Sequence, residues 1–422
     1  MRRLSLSDTV FYNLGDCYIT AAFVLDGPCD TTAMVAEIEG VVAELPAMSE
    51  RPRRIGVWTF AERAAPFDPA THVAIVRDPM ATSIDHLADR IDRLRRSPIP
   101  KGRPPWRMFI LNPDGSAGSQ TGAAPLSALL IQGRHGLGDA MRGIQLVGRM
   151  GRHPPDSRHR AIAAALPVID LAALPATIAV HDVGLSFLQV PRRGMHREGD
   201  ASERLAAAAA AAVADVTLFP HARPLRGNVG RTHLVRRRVS AEGLGNHLKM
   251  ITVRTGAGAA RRWRIPGLAR AQELELTTWL VALAPRWLAR LMMRIWYSSF
   301  DAMATLLPLQ RQLVVGGRRV TAAFGVPPLW GPVPLVLIAL ADGEHYHITV
   351  LPGTGFTASR TALHQAIGRL LNPEAAGGQA VAGIGSSGGE ARRPVPAAAR
   401  YGQGADGNIS SPVSVPASVK SP

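Results

Sequence analysis

Residues 134–140 read RHGLGDA and directly follow the apolar run LLIQG. A histidine with its ordinary pKa of ~6.5 can take a proton from a hydroxyl at neutral pH. His135 leaves what reads as a buried strand, and Gly136, Gly138 and Ala140 surround it with small side chains. Glycine lets a backbone turn sharply and lets a substrate come close. Asp139, four residues on, could orient the imidazole or anchor the turn through an arginine. A His-x-x-x-Asp spacing alone supports two readings: a general base acting on an alcohol, or a structural histidine with satisfied hydrogen bonds.

The elements that must position this turn are legible on both sides. Residues 19–26, 72–77, 106–111 and 128–132 read as strands, the last two as a pair. Residues 31–45 and 83–96 read as helices, and Ile84, Leu87, Ile91 and Leu94 share one face of the second. Met141 to Met150 start a helix after the turn. Residues 1–150 therefore mix strands and helices in one lobe. Residues 151–223 read as a connection, with the alanine run at 205–216 as a surface or bridging helix. Residues 224–371 form a second lobe. Its expected strands are 231–240 and three in 313–350, with ADGEH as a hairpin turn, and a helix at 357–371 closes it. The tail, 372–422, is Gly, Ala, Ser and Pro with few large apolar residues and is expected to be disordered.

Composition narrows the partners. The 422 residues carry a net charge of +16, which favours an anionic partner such as acidic lipid or a phosphorylated cosubstrate. No basic helix is patterned for a DNA groove, so nucleic acid is not expected. Cys17 and Cys29 make no disulfide framework and fit a reducing compartment. The N-terminus lacks the apolar core of a signal peptide, and no run reaches the ~18 apolar residues of a spanning helix. A cytoplasmic location is expected, with peripheral contact at the inner membrane or a lipid droplet. That contact rests on residues 273–297, which Pro285 should split. There Trp279, Trp287 and Trp296 would lie at the interface, with Arg286, Arg290 and Arg294 towards phosphates. The alternative is a core-packing helix with snorkelling arginines.

The turn and its flanks resemble a known family. RHGLGDA is similar to the HHxxxDG motif of acyltransferases with two chloramphenicol-acetyltransferase-like lobes. LSLSDTVFYNLGD at the start, FDPATHV at 67–73 and SPIPKGRPPWRMFIL at 97–111 resemble segments of bacterial wax ester synthase/diacylglycerol acyltransferases. PLRGNVGRTHLVRRRVS at 224–240 and LVVGGRRVTAAFGVPPL at 313–329 resemble later segments of that family, in family order. The resemblance implies an α/β fold of two lobes meeting along a channel, with the motif at their interface. It implies His135 as the general base and Asp139 as a mainly structural carboxylate. Acyl-CoA would be the cosubstrate, with no resident cofactor or metal, and a fatty alcohol or diacylglycerol the acceptor. Pro105 and Trp106 match a Pro-Trp pair read as shaping the lobe or channel, or as strand-edge packing.

Three departures stand against the match. Arg134 replaces the first histidine and Ala140 the final glycine, and the second lobe reads as shortened between residues 231 and 305. Two functions from different classes follow. One is an O-acyltransferase using His135; the other is a catalytically impaired relative that binds lipid or a membrane. A third keeps the fold and takes its acyl groups from carrier proteins.

Overall fold

Alternating or continuous apolar runs build two sheets, and amphipathic helices cover their faces. The computed structural model describes residues 1–372 apart from 16–17, 65–66, 78–82, 96, 98, 100–101, 114–125, 138–139, 172–184, 193–197, 221–227, 235–247, 255–275, 310–312, 329–332 and 354. The described residues belong to one unit spanning 1–376. Its first half runs β1 (Arg2–Arg3), α1 (Leu6–Leu14), β2 (Tyr18–Leu25), α2 (Thr31–Glu44), β3 (Glu50–Ile55), β4 (Trp58–Arg63), α3 (Pro69–His72), β5 (Val73–Arg77), α4 (Ile84–Leu94), β6 (Trp106–Asn112), β7 (Ser127–Arg134), α5 (Ala140–Val147) and α6 (Ser157–Ala165). The second half runs β8 (Val168–Asp170), β9 (Ser186–Pro191), α7 (Glu198–Ala214), β10 (Asn228–Leu234), β11 (Leu248–Arg254), α8 (Leu276–Leu283), α9 (Arg286–Tyr297), β12 (Ala302–Pro308), β13 (Val314–Val315), β14 (Arg318–Val326), β15 (Leu335–Ala341), β16 (His345–Pro352) and α10 (Arg360–Leu371).

The first lobe is a seven-stranded mixed sheet in the order β13-β14-β2-β7-β6-β5-β8. Strand β7 lies at its middle, antiparallel to β2 and β6. Helix α4 covers one face with Leu87, Ile91 and Leu94, all fully buried, and Ser83 caps its start through the amide of His86. The second lobe is a six-stranded sheet in the order β11-β10-β12-β15-β16-β9. A small third sheet, β1-β4-β3, stands beside α1.

Sheet membership departs from a sequential division of the chain. Strand β14, expected in the second lobe, pairs antiparallel with β2 and belongs to the first sheet. Strand β9, expected in a connection, pairs with β16 at the edge of the second. The two sheets meet where Phe324 of β14 stacks on Phe187 of β9, 3.9 Å apart. Segment 151–223 is therefore not a plain connection. The alanine run is also not a surface helix. In α7, Ala206, Ala208, Ala209, Ala210 and Ala212 are buried against β12, β15 and α10. Alanine's small side chain lets the helix lie close on the sheet on several of its faces, so a weak amphipathic signal hides a core helix.

The stretch read as shortened, residues 231–305, contains most of β10, all of β11, α8 and α9, and the start of β12. Pro285 does divide the apolar, arginine-bearing segment into α8 and α9. The expected strand at 231–240 starts at Asn228 as β10, and its residues beyond 234 lie outside the described set, as does the tail from 373.

Candidate active site

Seven buried residues of β7 lead to Arg134 and end the strand where the turn begins. The Arg134 amide donates to the carbonyl of Pro105 at 2.8 Å. Pro105 thus holds the start of the turn through its backbone. Trp106, in register opposite Gly133, is 1 % exposed and belongs to the core. Its indole Nε1 donates to the Met48 carbonyl at 2.7 Å. Its ring stacks on His72 at 4.4 Å and on Phe67 at 5.6 Å. Two segments singled out in the sequence, 67–73 and 97–111, therefore pack as one aromatic cluster beside the motif strand. Trp106 thus packs in the core beside the motif strand. His72 Nδ1 lies 2.9 Å from the Trp106 carbonyl, and burial lowers its pKa from the ordinary value.

His135 opens a single 3-10 turn, His135–Leu137. It is 5 % exposed, and its ring lies nearly parallel to Phe11 at 3.9 Å, with 10° between the planes. Phe11 belongs to α1, which Ser5 caps by accepting from the Asp8 amide. The next residue of α1, Tyr12, explains Gly136. A Cβ at Gly136 would stand 2.6 Å from the Tyr12 ring carbons. Only glycine lets the turn rest on that ring. Burial and the Asp8 carboxylate push the Tyr12 phenol well above its usual pKa, against the opposing effect of Arg134. It therefore stays a neutral hydroxyl at neutral pH.

One residue further along α1, the Asn13 side-chain amide donates to the carbonyls of Val281 at 3.1 Å and Ala284 at 2.7 Å. These are carbonyls at the end of α8, which lack partners within the helix. Arg290 of α9 donates from Nε to the Leu14 carbonyl at 2.9 Å. So α1 is clamped between the motif turn and the α8–α9 pair. Sequence reading missed Phe11, Tyr12 and Asn13 as site residues, because partners more than 120 positions apart leave no local pattern.

Gly138 and Asp139 lie outside the described residues, as does the Ala140 side chain. Ala140 begins α5. Arg134 lines a cavity of about 120 Å³ on the α1 side of the turn. Gly136 lines a smaller one of about 20 Å³ with Leu4, Tyr12 and Glu50. Among the described residues no three His, Cys, Asp or Glu side chains are grouped to hold a metal.

Two of the three tryptophans assigned to a membrane interface pack inwards. Trp279 meets Trp58 edge-on at 5.5 Å, and Trp296 packs against Tyr297 and Phe300. Trp287 is 68 % exposed.

Replacing Gly136 by alanine should destabilise the fold by about 1–3 kcal/mol, the usual cost of overpacking a filled site. Gly143, in α5 with open space around it, is the contrast. There alanine should stabilise by up to about 1 kcal/mol through helix propensity. Urea unfolding of the two variants beside the wild type reads both signs.

No protein-family model and no curated protein matches the sequence. Solved structures do share its fold. A wax ester synthase/diacylglycerol acyltransferase from Marinobacter aquaeolei VT8 aligns with a TM-score of 0.53 and 14 % identity, over 87 % of this chain and 98 % of that one. The first condensation domain of the CDA synthetase aligns at 0.52 and 15 %, over 88 % and 94 %. A variant of the starter condensation domain of rhizomide synthetase RzmA in complex with C8-CoA aligns at 0.51 and 13 %, over 88 % and 93 %. The chain has the two-lobed α/β fold of these condensation-domain-like proteins.

Proposed function

We propose that this chain moves a long acyl group from acyl-CoA to the hydroxyl of a fatty alcohol or diacylglycerol, with His135 as general base. The observation that carries the reading is the position of His135 in the turn leaving β7, the middle strand of the first sheet. Support comes from the fold shared with a wax ester synthase/diacylglycerol acyltransferase and with a condensation domain solved with C8-CoA.

His135 would accept the hydroxyl proton as the oxygen attacks the thioester carbonyl carbon. The C=O electron pair moves onto oxygen, and the tetrahedral anion collapses to an ester with loss of the CoA thiolate. That thiolate takes the proton back from the imidazolium, so atoms and charge balance. Phe11 covers a face of the imidazole. The ring nitrogens lie on the edge, so the stack fixes the plane of the ring without occupying the direction in which a proton moves. Asp139 would anchor the turn. Incubation with palmitoyl-CoA and hexadecanol, or with a diacylglycerol, should yield hexadecyl palmitate or triacylglycerol detectable by mass spectrometry.

A second reading, a lipid-binding relative without turnover, draws on Arg134 in place of the motif's first histidine and on the 5 % exposure of His135. Arginine is permanently charged and cannot serve as a base. On that reading no ester forms, although acyl-CoA or lipid still binds.

Either reading is served by contact with an anionic membrane through α8 and α9. Leu283, Trp287, Leu291 and Ile295 recur every four residues and are exposed, with Ile295 at 62 %. Trp287, Leu291 and Ile295 form one apolar ridge along α9, with Arg286, Arg290 and Arg294 each one position before a ridge residue, and Leu283 ends α8 on the other side of Pro285. Residues 276–297 contain no Asp or Glu. No described helix is long and apolar enough to cross a membrane. The protein should co-sediment with vesicles containing anionic lipid. Raising salt from about 0.1 M to about 1 M shortens the Debye length from ~10 to ~3 Å and should weaken binding. Trp287→Ala should weaken it at both salts. Absence of sedimentation at low salt would remove the membrane contact and leave the transferase proposal standing.

A further inference from the structure

The cavity of about 120 Å³ beside the motif turn has a composition that the transfer reaction does not use. Arg54 of β3, Arg134 at the end of β7 and Arg286 at the start of α9 line it together. Thr9, Tyr12 and Thr59 add hydroxyl groups. No carboxylate is among its described lining residues. Two carboxylates act on Tyr12: Asp8, which accepts from the Ser5 hydroxyl, and Glu50, which pairs with Arg2 at 2.8 Å.

Arg54 is held in place by neutral partners. Its Nε donates to the Gly56 carbonyl and its Nη1 to the Asn13 side-chain oxygen, both at 3.1 Å. These bonds aim the guanidinium without cancelling its charge. Arg53, its neighbour on the same strand, instead pairs with Glu62 at 3.1 Å. Adjacent residues on a strand point to opposite faces, so one arginine is spent on an ion pair and the other is turned to the cavity. Three guanidinium groups lining one small space give it a positive potential that favours an anion there. A cavity of ~150 Å³ can hold benzene, so this one has room for a smaller tetrahedral anion. Guanidinium groups recognise phosphate oxygens through paired, charge-assisted hydrogen bonds.

We propose that this cavity binds a phosphate group, supplied as inorganic phosphate or as a phosphomonoester on a larger molecule such as the 3′-phosphate of CoA. The site adjoins the His135 turn; the CoA source rests on the proposed transfer reaction, and phosphate binding itself is testable without turnover. Arg134, which cannot serve as a base, lines this site one position from the proposed base.

The test is calorimetric titration of the whole protein with inorganic phosphate, CoA and dephospho-CoA. Arg54→Gln and Arg286→Gln are the site variants; both residues are exposed and so are poor candidates for misfolding. Arg53→Gln is the control for general charge loss. Saturable phosphate binding, weakened about tenfold or more by each site variant and unchanged in the control, is expected. A phosphate-dependent rise in Tm in wild type and control, absent from Arg54→Gln, should accompany it. CoA binding tighter than dephospho-CoA, with the same sensitivity to Arg54→Gln, would assign the source to CoA. Equal binding of the two would assign it to free phosphate or another phosphomonoester. Failure of phosphate to saturate, or equal weakening in the Arg53→Gln control, would overturn the proposal.

Discussion

His135→Ala is expected to lower acceptor-dependent CoA release by about 10²–10⁴-fold, the contribution of a positioned general base. The fold should survive. Among the described contacts the substitution forfeits the ring stack with Phe11, worth about 0.5–1.5 kcal/mol. His135→Gln fills more of the same space and keeps hydrogen-bonding atoms, but takes up no proton at neutral pH. It should therefore be as slow as the alanine variant while unfolding closer to wild type. Palmitoyl-CoA should still bind both, because proton transfer and substrate binding rest on different groups. Variants that unfold like wild type and turn over at the wild-type rate would remove His135 from the chemistry. Turnover that falls only in proportion to folded protein would make it a structural histidine.

Trp106→Ala should be the most damaging substitution to stability among the residues singled out in the sequence. Truncating a buried tryptophan costs about 3–5 kcal/mol through lost burial and the remaining cavity. The change also strips the Met48 carbonyl of its indole donor, and an unsatisfied buried acceptor adds about 1–3 kcal/mol where water cannot enter. His72 and Phe67 would both lose their stacking partner. Trp106→Phe retains an aromatic ring between them and removes the indole hydrogen bond, so its cost should be clearly smaller. Chemical denaturation at fixed pH compares the two. A Trp106→Ala cost below about 1 kcal/mol would mean that the cluster is not the core it is taken to be.

These residues also mark how far the sequence could be read. Strands β2, β5, β6 and β7 were legible because their apolar runs are bounded by turn residues, and α4 because its apolar residues recur at helical spacing. The order of the sheets was not. Strand β14 reads as one of three consecutive strands in 313–350, yet it leaves them to pair with β2 nearly 300 residues away. Nothing in its alternation names a partner. Helix α7 was legible as a helix but not as a core helix, since alanine has high helix propensity on any face. At the site, His135 was legible from its residue type and small neighbours. Its cover was not: Phe11 and Tyr12 carry no local signal of the role they take once the fold brings α1 onto the turn. Among the tryptophans, residue type alone did not separate Trp287, which faces outwards, from Trp279 and Trp296, which are packed against other aromatic rings.

Phosphate binding at the arginine-lined cavity and membrane contact through the α9 ridge, as proposed, do not require turnover. A lipid-binding relative would keep both. What separates the two readings is turnover that depends on an alcohol. The most direct measurement is free CoA thiol followed over time, with palmitoyl-CoA present and hexadecanol either supplied or withheld. The expected result is a rate that rises with hexadecanol and saturates, with one ester formed per thiol released. The same slow release with and without the alcohol, and no ester, would contradict an acyltransferase and leave a protein that binds acyl chains without transferring them.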